Sequence, residues 1–152
     1  MTGVPHDAES ERQLLGALLL RPDLMLQVEP VIKKKDLYLE SHRLIYDAVS
    51  ELYHQRNEDL DALQVIQFLA DRSLIEQAGG SAYVLKLVED VMAPGSALIQ
   101  ARRLRSISVR RDLMLLAEQI ASDAAHPQED EAEFLKGVED KVLSITNANL
   151  SH

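Results

Sequence analysis

The sequence has no cysteine and no tryptophan among its 152 residues. Without cysteine there is neither a disulfide framework nor a thiolate metal site, a composition that suits the cytoplasm. Aromatic residues are scarce, with two Phe and four Tyr. No apolar run approaches the roughly 18 residues of a membrane span. The N-terminus lacks the charged-then-apolar order of an export signal, because Glu9, Glu11 and Arg12 interrupt it before Leu14. Positive charge is also short: 16 Lys and Arg stand against 25 Asp and Glu, for a formal net charge of −9. Proteins that grip nucleic acid over their whole surface are normally basic, so strong direct nucleic-acid binding is not expected. Solubility and basic protein partners are favoured instead. The six glycines begin no G-x-x-x-x-G-K-[ST] loop, and no G-x-G-x-x-G, H-E-x-x-H or G-x-S-x-G occurs. No two of His6, His42, His54, His126 and His152 stand at helical i, i+3 or i+4 spacing. The reading is therefore of a chain with no catalytic, cofactor-binding or metal-ligating residues of its own.

What is present is helical material. Apolar residues make up 46% and charged residues 27%, and Leu, Ala, Glu and Gln are plentiful. A helix is expected over residues 8–20, capped by Asp7, with Leu14, Leu15, Leu18 and Leu19 as its apolar stripe. Gly16 sits inside it, either for close approach of another backbone or simply tolerated. Arg21-Pro22-Asp23 stops that helix, a short one follows over residues 24–28, and Lys33-Lys34-Lys35 reads as a solvated turn. Ser41 is expected to cap a helix over residues 42–55, with His42 as a surface or packing residue. Asp61 is expected to cap another to residue 72, with Leu63, Val65, Ile66 and Leu69 inward. Asn57-Glu58-Asp59 reads as a loop. Gly79 is placed to end a turn in the left-handed conformation, and Ser81 opens the next helix.

Residues 96–125 contain no Pro or Gly, so one long helix is expected, with a kink or break near residues 105–109. A last helix is expected over residues 129–145, its acids at the positive end of the helix dipole. No strand is convincing. The fold class is all-α: a compact multi-helix globular head over residues 1–95, then an antiparallel helical hairpin over residues 96–152 that includes the start of a linker. A two-helix hairpin has little core of its own, so self-association is expected through Leu113, Leu116, Ile120, Leu135, Val138 and Val142. Replacing Leu116 and Val138 by Asp should then abolish it. Arg102, Arg103, Arg105, Arg110 and Arg111 crowd together as a possible electropositive partner patch. The competing reading is salt bridging to the chain's own acids.

The order of residues resembles a known family. Pro5-His6-Asp7-Ala8-Glu9 followed by Leu15-Gly16-Ala17-Leu18-Leu19-Leu20 is similar to the opening of bacterial replicative DNA helicases of the DnaB family. There the pattern is P-H-N-x-E-A-E, then L-G-x-[LM]-[LI]. Asp36-Leu37-Tyr38 with Ser41-His42-Arg43-Leu44-Ile45-Tyr46 resembles its D-F-Y…H-R-x-I-[FY] block. Asp61, Leu63 and Val65 resemble its D-x-x-T-[LV] segment. Leu74-Ile75 and Gly79-Gly80-Ser81-Ala82-Tyr83-Val84 resemble its L…G-G-x-x-Y-[LI] block. The departures are Asp7 for Asn, Leu37 for Phe, and Leu98 and Arg102 after Pro94 where the family has Asn and Tyr.

The resemblance implies the non-catalytic N-terminal assembly and docking domain of such a helicase. In the family, hairpins pair between subunits into a collar on a hexamer, and the collar docks the C-terminal domain of primase and helicase loaders. ATP and Mg would belong to a motor domain beyond this chain. The expected partners are thus copies of itself, primase and a loader, with no membrane, in the cytoplasm. A free-standing helical adaptor that mimics this domain is the alternative.

Overall fold

The computed structural model describes residues 3–56 and 60–150, and all regular structure among them is helical. Seven α-helices follow in order: α1 (Ala8–Leu20), α2 (Met25–Val28), α3 (Glu40–Arg56), α4 (Ala62–Asp71), α5 (Ser81–Glu89), α6 (Ala97–Ala124) and α7 (Glu131–Leu150). None is long and apolar enough to cross a membrane.

The starts and stops have local causes. The Asp7 carboxylate accepts from the Ser10 amide at 3.0 Å, and that of Asp61 from the Gln64 amide at 2.9 Å. Each satisfies an orphan donor of a first turn. Gly79 and Gly80 have φ of +105° and +91°, so the chain reverses before α5 in a region that side chains disfavour. The Asn57-Glu58-Asp59 loop lies outside the described residues.

Two compact units form. The first is Asp7–Ser106. Its core is built on α1, whose Leu14, Leu15 and Leu18 are fully buried. Ile45, Ala48 and Val49 of α3, Val65 and Leu69 of α4, and Val84 and Leu87 of α5 join the same cluster. Ala97, Ala101 and Leu104, at i, i+4 and i+7 of α6, complete it. The second unit is residues 3–6 with 107–150. The division therefore falls inside α6, because the first turns of that helix bury their apolar side in the core of the first unit.

Gly16 is a point of close approach rather than a tolerated residue. A Cβ there would lie 2.2 Å from the Leu87 carbonyl oxygen and 2.4 Å from Val91 Cγ2. Backbone thus meets backbone where α1 crosses α5.

Four expectations change. Ser41 does not cap α3; the helix starts at Glu40, two residues before the expected start, with the Arg43 amide on the Leu39 carbonyl at 3.0 Å. The amides of Tyr38 and Leu39, just ahead of it, point to Glu11 of α1 instead. Leu63 is 66% exposed and Phe68 is buried in its place, since Val65, Phe68 and Leu69 define the inward stripe of α4. Finally, α6 runs unbroken through residues 105–109. Ile107, Ser108 and Arg111 are buried there, and tertiary packing outweighs the few tenths of a kcal/mol per residue that separate their helix propensities from those of strong formers. The last helix also begins two residues later than expected and extends to residue 150.

Candidate functional site: a helical hairpin with an open apolar flank

In the second unit, the C-terminal part of α6 and all of α7 are joined by residues 125–130. So short a connection makes them antiparallel neighbours. Asp130 caps α7 by accepting from the Glu133 amide at 3.2 Å. Leu116 and Ile120 on α6, and Phe134, Val138, Val142 and Ile145 on α7, are half-buried at i, i+4 and i+3 steps. Each helix thus carries one half-buried apolar stripe. Leu116 and Val138, expected on the self-association seam, are both half-buried in the single chain.

Leu113 and Leu135 differ: they are 40% and 62% exposed. At 100° per residue, Leu113, Ala117 and Ala121 share one side of α6, next to the seam. Leu135 shares the corresponding side of α7 with the edge of Val142. Each helix of the unit therefore carries one exposed leucine beside its half-buried stripe. Leu115 and Leu143 are also exposed, at 47% and 42%, but their wheel positions lie off these sides.

The five arginines divide. Arg103 lies 2.8 Å from Asp7, and Arg105 lies 2.8 Å from the fully buried Asp36. Arg111 is buried and donates to the Pro5 carbonyl at 3.0 Å. These three brace the chain's own groups. Arg102 and Arg110 are exposed and have no acidic partner among the described residues.

Asp7 is held down to about 2 by the Ser10 amide and by Arg103, against 3.8 ordinarily. A depressed carboxylate contributes stability above its unfolded value and loses it as pH falls through its folded one. Asp7→Asn keeps the cap, so it should cost about 1 kcal/mol near neutral pH after solvent screening and nothing below pH ~2. Urea unfolding of both proteins between pH 2 and 5 measures the convergence.

Sequence reasoning missed a buried polar network in the first unit. Glu11, only 1% exposed, accepts from the Tyr38 amide at 2.6 Å and pairs with His42 Nδ1 at 2.8 Å. His42 Nε2 meets the Tyr83 hydroxyl at 2.5 Å, with the two rings stacked at 6°. Burial pushes the Tyr83 hydroxyl up. The network ties α1, α3 and α5 together as a buried brace. His42 is thus a packing residue. The only sequence cue to Glu11 was an acid one step from a run of leucines. Among the described residues, no three His, Asp or Glu side chains are placed to hold a metal.

The family model described as DnaB-like helicase N terminal domain matches residues 3–106. The chain belongs to the DnaB-like helicase N-terminal domain family. The replicative helicase DnaC of Bacillus subtilis is 31% identical over 139 residues, covering 91% of this chain and 30% of that protein. DnaB of Pasteurella multocida is 27% identical over 143 residues, covering 93% of this chain and 30% of that protein. The chain thus spans about 30% of the length of the curated DnaB relatives it matches. The crystal structure of the N-terminal domain of DnaB helicase from Mycobacterium tuberculosis superposes with a TM-score of 0.87 at 26% identity, covering 93% of this chain and 99% of that one. A DnaB-like replicative helicase, described together with its interactions with primase, superposes with a TM-score of 0.73 at 15% identity over 91% of this chain and 31% of that one. That second likeness is one of fold. The DnaB-type match ends at Ser106, where the first unit ends, so the hairpin flank lies beyond the span of the family model.

Proposed function

We propose that this domain is the non-catalytic assembly and docking part of a bacterial replicative DNA helicase. Hairpins pair between subunits and build a collar on a hexameric motor. The collar presents a surface to primase, or to a helicase loader, during DNA replication in the cytoplasm. ATP and Mg act in the motor and not in this domain. The observation that carries the reading is the open flank of Leu113 and Leu135 on a two-helix unit whose own seam is only half-buried. Covering such a flank removes apolar area from water at roughly 25 cal/mol per Å², which favours a second hairpin over solvent. Docking of primase is supported by the DnaB-like helicase of the same fold that was described with primase.

Leu113→Asp combined with Leu135→Asp tests the pairing. Both side chains are exposed in the single chain, so the helical content should stay unchanged by circular dichroism. Sedimentation equilibrium should show at least a tenfold weaker association, a change of about 1.4 kcal/mol or more. An unchanged association constant would remove the flank from the assembly. Capture of the primase C-terminal domain by the wild-type chain, measured by calorimetry, tests the docking half, and no binding heat would overturn it.

A further inference from the structure

One corner of the Asp7–Ser106 unit is basic, in a protein of net charge −9. Lys33, Lys34 and Lys35 stand exposed on the turn ahead of α3. Arg105 of α6 reaches this turn, 2.8 Å from Asp36, and Arg102 is exposed one helical turn before it on the same side. Arg43 of α3 also reaches the segment, where it donates to carbonyls rather than to a carboxylate. The nearby acids are mostly engaged. Glu11 and Asp36 are buried, Asp47 pairs with Lys34 at 3.7 Å, and Glu29 pairs with His54 at 2.7 Å. Glu40, at the start of α3, is exposed. Lys33 and Arg102 pair with no acid among the described residues.

The backbone that presents the lysines is fixed from several directions. Asp36 closes the turn on itself: its carboxylate accepts from the Lys33 amide at 2.8 Å, and its own amide donates to the Lys33 carbonyl at 2.9 Å. Three helices then grip the segment. Glu11 of α1 accepts from the Tyr38 and Leu39 amides. Arg43 of α3 donates to the Leu37 and Tyr38 carbonyls at 2.9 and 2.6 Å. Arg105 of α6 holds Asp36. Ile32 and Leu37, on either side of the turn, are fully buried. Three lysines on a loose loop would spread their charge over many conformations. Here the backbone is ordered before any ligand arrives, so only side chains remain to be ordered on binding.

We infer that this corner binds an acidic segment of a partner protein, whose carboxylates meet Lys33, Lys35 and Arg102. Charge complementarity on a pre-ordered turn carries the inference. A nucleic-acid strand fits less well. Its phosphates continue past the corner, where Glu29 and Asp47 line the cleft beside Lys33 and Lys34 and Glu40 opens α3. A peptide places a few carboxylates and then changes composition. The inference is independent of the pairing of hairpins, since every residue it uses lies in the first unit.

Calorimetric titration of the 152-residue chain with end-blocked hexaglutamate tests this. Binding should be measurable at about 50 mM salt and at least about tenfold weaker at about 500 mM, where exposed charges are screened. Lys33→Glu/Arg102→Glu should weaken it by about tenfold or more at the lower salt. Both side chains are exposed and outside the braces of the turn, so helical content by circular dichroism should match wild type. Lys136→Glu/Lys141→Glu changes the net charge equally but lies in the second unit, and should weaken binding less than about twofold. No binding heat at about 1 mM peptide would overturn the inference. Equal losses for the two double variants would overturn it as well, since net charge alone would then explain the binding. Hexathymidylate that binds about tenfold tighter than hexaglutamate, and is lost with Lys33→Glu/Arg102→Glu, would assign the corner to nucleic acid instead. A change in self-association of that variant by sedimentation would assign it to a second copy of the chain, again overturning the inference.

Discussion

Glu11→Ala is expected to destabilise the Asp7–Ser106 unit by about 3–5 kcal/mol, the scale found when one partner of a buried charged or hydrogen-bonded pair is removed. The carboxylate accepts from the Tyr38 and Leu39 amides and from His42 Nδ1, and His42 is fully buried. The substitution leaves these buried donors unmatched, and each unmatched group costs about 1–3 kcal/mol. Glu11→Gln keeps an acceptor and the volume, so it should cost about half as much. Urea unfolding followed by circular dichroism compares the three proteins. A loss under about 1 kcal/mol for the alanine variant would mean that the brace contributes little, and that apolar packing alone aligns α1, α3 and α5.

The second large effect reverses a familiar sign. In an open helix, Gly→Ala stabilises by about 1 kcal/mol. At Gly16 a Cβ would stand 2.2 Å from the Leu87 carbonyl oxygen, which belongs to the backbone of α5 and cannot swing aside. Gly16→Ala should therefore destabilise by about 2 kcal/mol net, since overpacking of a tight core costs about 1–3 kcal/mol and strain against backbone lies at the upper end. Gly16→Val should cost more again. Thermal unfolding of both variants measures this. A raised Tm for Gly16→Ala would show that α1 and α5 separate freely, contrary to the contact that shapes the first unit. Gly137 is the control: a Cβ there meets nothing within 4 Å, so Gly137→Ala should stabilise α7 slightly.

Much of the architecture follows from local signals. Asp7 and Asp61 cap α1 and α4 at the positions their side chains predict, because an acceptor before an apolar-periodic run satisfies first-turn amides wherever the rest of the chain goes. The turn at Gly79 and Gly80 was equally legible, since positive φ favours glycine. The all-helical class followed from the 3.6-residue stripes of leucine and valine. Errors arose where a distant element intervenes. Ser41 looked like the cap of α3, yet Glu11 provides the acceptor from 28 residues away for the Leu39 amide. Leu63 looked inward on the stripe of α4, but the packed face is rotated towards Phe68. The weak helix formers at residues 105–109 invited a break, and burial of Ile107, Ser108 and Arg111 keeps α6 continuous.

The candidate site divides in the same way. Its apolar residues were readable as a helical seam, but one stripe on a helical wheel does not distinguish the side that closes a hairpin from the side that remains open. Leu116 and Val138 are half-buried, whereas Leu113 and Leu135 are exposed. Likewise, a cluster of five arginines does not say which have acids within reach; Asp7 and Asp36 neutralise two, the Pro5 carbonyl holds a third, and Arg102 and Arg110 remain. By itself the sequence determined the helices, their caps, the absence of nucleotide-loop chemistry and the family resemblance, all of which depend on residue type and short spacing. Only the tertiary structure decided the buried Glu11–His42–Tyr83 brace, the close approach at Gly16 and the open flank, because each depends on which faces meet once residues far apart in the chain are brought into contact.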